Sequence, residues 1–173
     1  MRRRLLLGAV GLGVAGCGFR PLHAPGGATA AGEASDDVRA ILASTEVALI
    51  PERNGQMLRR ALTERLSAAG SAATSHDLRV SLQASAEPEG FRRDGTPSRI
   101  RMVMTGSWLL VDRAAPPSVR AQGVERAFDA FDIPDNQFFA GDAAQAAMSS
   151  RLISQLADDI VLRLTVSLRS RSA

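Results

Sequence analysis

Between Asp77 and Ala86 the side chains alternate without a break. Leu78, Val80, Leu82, Ala84 and Ala86 fall on one side of an extended chain, and Arg79, Ser81, Gln83 and Ser85 on the other. A period of two cannot be buried by a helix. It calls for a strand with one face on a core and the other in water. Such a strand needs neighbours and a cover, and the rest of the chain offers both.

Thr45 to Ile50 reads as a first strand, ended by Pro51. A helix follows from Glu52 or Asn54 to Ala69, with Leu58, Leu62 and Leu66 every four residues and Gly70 as its stop. After the strand at Asp77, a turn-rich stretch from Glu87 to Ser98 is expected to link it to a third strand, Arg99 to Asp112. Ile100, Met102, Met104, Trp108 and Leu110 share one face there, with Gly106 as a gap. The fourth strand, Val119 to Phe131, loses its alternation at Gly123-Val124, which suggests a bulge. A long helix from Gly141-Asp142 to Leu168 closes the order, with Asp142 as its N-cap. Its stripe is Met148, Leu152, Leu156, Ile160 and Leu164, widened by Ile153, Ala157 and Val161.

The order β-α-β-β-β-α predicts an α+β two-layer sandwich: a four-stranded, mostly antiparallel sheet with two amphipathic helices on one face. The helical crossover lets the first strand lie parallel to its neighbour. The other sheet face, with Arg79, Ser81, Gln83, Arg99 and Arg101, is expected to stay open.

The start of the chain is of another kind. Arg2, Arg3 and Arg4 precede an apolar run from Leu5 to Val14, then Ala15, Gly16 and Cys17. That is the layout of a secretory leader, and the run is shorter than the roughly 20 apolar residues of a membrane span. Residues 1–16 are therefore expected to be a signal peptide, 17–44 a lipidated start and flexible tether, 45–168 the domain, and 169–173 a frayed end. Within the tether, Asp36 to Ala43 could form a short helical turn. Cys17 is the only cysteine, so no disulfide can form within one chain.

Every basic residue is arginine, and tyrosine is absent. Setting aside the three leader arginines leaves 18 basic residues against 18 acidic ones. That balance argues against a nucleic-acid partner recognised through global charge. No catalytic constellation is present. His23 and His76 are isolated, no spacing suits a metal, and no phosphate-cradling glycine loop appears. Asp158-Asp159 are adjacent on a helix and diverge. The chain is therefore not expected to be an enzyme, and it calls for no cofactor.

One patch carries local charge. Gly90 to Arg101 holds Arg92, Arg93, Arg99 and Arg101 against Asp94. Guanidinium forks pair with phosphate, so the patch could meet a phosphorylated lipid or an acidic rim, with Phe91 beside it. Equally, it could be a charged hairpin that keeps a sheet edge soluble.

The segment Val14-Ala15-Gly16-Cys17 resembles the lipobox of bacterial lipoproteins, which implies that Cys17 is lipidated and becomes the first residue. Two or three acyl chains make a stable anchor where one does not. The string Cys17-Gly18-Phe19-Arg20-Pro21-Leu22 resembles the start of the LptE family of lipopolysaccharide-assembly lipoproteins, and the later order of elements agrees with it. The resemblance implies a non-catalytic protein at the periplasmic face of the cell outer membrane. It would plug an LptD-like β-barrel and help to pass lipopolysaccharide outward. In such a protein the local density of Arg92, Arg93, Arg99 and Arg101 on a polar sheet face makes the hairpin end a candidate to face the barrel lumen or to bind lipopolysaccharide phosphate. A competing expectation is an adaptor lipoprotein of an ABC-transport or other cell-envelope complex.

Overall fold

The structure, a computed structural model, describes residues 36–134 and 138–172. Cys17, the string after it and the expected tether up to Ser35 lie outside the described residues.

The order is α1 (Asp36–Ala43), β1 (Thr45–Val47), α2 (Glu52–Ser67), β2 (His76–Phe91), β3 (Pro97–Asp112), β4 (Val119–Asp132) and α3 (Phe138–Ser172). The strands form one sheet in the order β1-β2-β3-β4. β1 runs parallel to β2, as the crossover through α2 requires, and the other pairs are antiparallel. This is the expected α+β open sheet with its helices on one face.

Each strand explains its own face. Leu78, Val80, Met104, Trp108, Leu110, Ala121 and Ala127 turn inward. Against them lie Leu58, Leu62 and Leu66 of α2 and the whole stripe of α3 from Met148 to Leu168. Gly106 is indeed a gap: a Cβ there would come within 3.3 Å of Leu156 and Ile160, so its absence lets α3 settle onto the sheet. Arg65 clamps the two long helices, its Nε and Nη2 donating to Asp158 at 2.6 and 3.0 Å and Nη2 also to the Ser154 hydroxyl at 2.9 Å.

Several boundaries differ from the expectation. α1 belongs to the packed unit, since Val38 and Leu42 are fully buried; the domain begins before residue 45. β1 stops at Val47. α3 begins at Phe138, so Asp142 lies inside it rather than capping it. The alanine-rich run from Ala140 to Ala147 favours helix before any residue of the stripe is buried. At the other end α3 continues through Ser172 instead of fraying at 169, held by the buried Leu168.

The stretch from Glu87 to Ser98 is mostly strand. Pairing runs to Phe91 and Pro97, with irregularities around Gly90, and only residues 92–96 turn. Pro88 is tolerated because β1 covers no more of β2 than His76–Leu78; beyond that, β2 is an edge where a missing N–H costs nothing. The bulge of β4 falls at Arg120, between the pairs Leu110–Ala121 and Val111–Val119, and Gly123 sits in regular register opposite Trp108.

Candidate functional site

The hairpin tip is built by its own sequence. Gly95 takes φ +82°, which a side chain disfavours. The Thr96 N–H and hydroxyl donate to Asp94 at 3.0 and 2.7 Å and hold its carboxyl below the usual carboxylate range.

The four arginines singled out from the sequence are brought together here, with unequal roles. Arg92 is structural: its guanidinium donates to the carbonyls of Pro97 at 2.6 Å and Ile133 at 2.5 Å, tying the tip to the end of β4. Arg99 lies between Asp132 at 2.9 Å and Glu89 at 3.4 Å. Arg101 pairs with Glu89 at 2.5 Å and lies 5.6 Å from the centre of the Phe128 ring. Arg93 is exposed and has no partner among the described residues. Glu89 and Asp132 are the members that the sequence reading lacked. Asp132 is Arg99's cross-strand partner, a relation visible only once register is known, whereas Glu89 directly precedes Gly90, where the arginine-rich stretch begins.

The face of the sheet away from the helices is open. Reading across β2, β3 and β4, its rows are Arg79–Leu109–Gln122, Ser81–Ser107–Val124, Gln83–Thr105–Arg126 and Ser85–Val103–Phe128. The β2 column is polar, and the β4 column alternates apolar and polar groups. A shallow concavity of about 530 Å³ lies over the first two rows, walled by Arg79, Ser81, Leu109, Gln122 and Val124. Arg79 and Arg126 have no partner among the described residues, whereas most other arginines near the sheet are paired.

His76 takes no part in these surfaces. It is buried where β2 begins, its Nδ1 within 3.1 Å of the Ser44 hydroxyl and 2.8 Å of the Ser75 hydroxyl. Ser44 donates to the Ile41 carbonyl, and Ser75 donates to Ser44. Nδ1 donates to or accepts from these hydroxyls according to the ring tautomer. Burial pushes the imidazole pKa down, partly opposed by Asp112. The knot joins the end of α1 to the start of β2. His23 lies outside the described residues. Among the described residues no group of His, Cys, Asp and Glu could hold a metal, and no helix is long and apolar enough to cross a membrane.

The family model for LptE, described as lipopolysaccharide-assembly, matches residues 42–164, from the end of α1 through the whole sheet and into α3. The chain belongs to the LptE family. No curated protein matches it. Among solved structures, a lipoprotein from Caulobacter crescentus is 26% identical, with a TM-score of 0.59 over 77% of this chain and 96% of that one. Rare lipoprotein B from Shewanella oneidensis is 11% identical, with a TM-score of 0.58 over 75% and 96%. A minor lipoprotein from Acinetobacter baumannii is 14% identical, with a TM-score of 0.58 over 72% and 92%. The last two show the shared fold alone. The LptE match thus rests on the packed domain, independently of the CGFRPL string, which lies before it.

Proposed function

We propose that this chain is an outer-membrane lipoprotein of lipopolysaccharide assembly. Lipid on Cys17 holds it at the periplasmic face, and the domain plugs the lumen of an LptD-like β-barrel. It acts by filling and contact, without catalysis or cofactor. The observation that carries this reading is the family match across the whole sheet. The domain suits such a place: barrel lumens are polar, and its open face mixes serine, glutamine and arginine with scattered apolar groups.

Within that reading, the hairpin meets the phosphate groups of lipopolysaccharide. Arg93 is ready to do so as it stands. Arg99 and Arg101 are half-exposed and would exchange Glu89 and Asp132 for phosphate. Arg92 holds the tip in shape.

Depletion of the chain tests the function: lipopolysaccharide accessible at the cell surface, measured by labelling intact cells, is expected to fall. Unchanged surface lipopolysaccharide in depleted cells would overturn the reading.

A further inference from the structure

β4 is an edge strand of 14 residues, and no strand of the described residues lies beyond it. Its outward N–H and C=O groups form a row that another extended chain can satisfy. Natural edges are commonly blunted by lysine, proline or bulges. β4 contains no lysine and no proline, and its one irregularity is at Arg120, near its start. Glu125 and Asp129 do point inward, but α3 answers both, through Arg163 at 3.3 Å and Arg151 at 2.6 Å.

Apolar groups flank this edge on both sides. On the open face Val124 is 60% exposed and Phe128 65%. On the helical side α3 presents Leu162, 52% exposed, and Val166, 47%. A second concavity of about 280 Å³ lies there, lined by Glu125, Asp159, Leu162, Arg163 and Val166. A strand added beside β4 would set alternate side chains next to Val124 and Phe128 on the open face and next to Leu162 and Val166 on the helical side.

We infer that the free edge of β4 is a docking site for one extended strand of a partner protein. On its open-face side the strand would carry an acidic residue opposite Arg126, with apolar residues two positions to either side, opposite Val124 and Phe128. The chemistry follows from the outward sequence Val124, Arg126, Phe128: two apolar groups around a guanidinium without a partner among the described residues. Antiparallel pairing of two copies about Glu125 or Arg126 sets like charges opposite one another, which is destabilising, whereas pairing about Val124 does not; a second copy is therefore a named outcome of the test.

The partner is sought in the outer membrane, which rests on the function proposed above. The test compares amide hydrogen exchange in β4 for the full-length lipoprotein in native outer-membrane vesicles and for the same protein purified alone in detergent. The edge amides between Ala121 and Phe131 are expected to exchange at least tenfold more slowly in the vesicles, with Arg126→Glu losing that protection and Arg126→Lys keeping it. Equal exchange in the two samples overturns the inference. So does protection matched by a cross-linked species of twice the chain mass, which would make the occupant a second copy. If a large barrel still co-purifies while β4 exchanges freely, the edge assignment fails and the proposed function stands. If no barrel co-purifies, the proposed function fails.

Discussion

The indole of Trp108 fills the space that a side chain at position 123 would occupy. A Cβ on Gly123 would stand 2.6 Å from Cζ2 and 2.8 Å from Cε2 of the buried ring. Gly123→Ala therefore forces the indole or the strand to move. Overpacking of this kind is expected to cost about 1–3 kcal/mol, read as a lower urea midpoint with an unchanged slope.

Leu42 tests where the domain begins. It is fully buried in α1, so Leu42→Ala should lose about 2–5 kcal/mol by transfer and cavity terms. A tether residue would give almost nothing. Equilibrium unfolding of the variant decides between the two.

The Arg65–Asp158 clamp is a smaller effect. Asp158 is mostly exposed, so Asp158→Asn is expected to cost no more than about 1 kcal/mol, and less at high salt. Arg65→Ala should cost more, because the Arg65 side chain is largely covered between the helices and its packed stem is lost with its charge. Urea melts at low and high ionic strength separate the two contributions.

These sites show what the sequence could and could not reveal. The α2 and α3 stripes and the alternation of β2 were readable because each face repeats through local spacing. Gly123 was read as a bulge because its reason for being glycine is a tryptophan on the next strand. Pro88 and Gly90 read as a turn because their tolerance depends on how far β1 extends along β2. α1 carries only two fully buried side chains, too few to set a period. The arginine cluster was legible as a cluster. Its internal pairing was not, because Asp132 reaches Arg99 only through strand register.

Stability should depend on pH through His76. Its folded-state pKa lies below the ordinary value near 6.5 because the ring is buried. Unfolded chains therefore bind a proton more readily than folded ones. The contribution is fully present above about pH 6.5 and is lost as pH falls through the folded-state value. Asp94, Asp112 and Asp129 are all shifted below the usual carboxylate range, so their losses come at lower pH. Denaturant midpoints at pH 7.5 and 5.5 should fall with acid, and His76→Gln should flatten the difference.

At the hairpin, Arg93→Ala is expected to weaken binding of purified lipopolysaccharide several-fold without changing the urea midpoint. Arg92→Ala is expected to lower the midpoint as well, because it frees the Pro97 and Ile133 carbonyls. Binding unchanged in an Arg93, Arg99 and Arg101 triple alanine variant would remove the hairpin from the account.

The central claim is most directly tested by purifying the tagged chain from native membranes and identifying what accompanies it. One large outer-membrane β-barrel in near-equal amount is the predicted result. Recovery with an inner-membrane transporter, or with no partner at all, would contradict it.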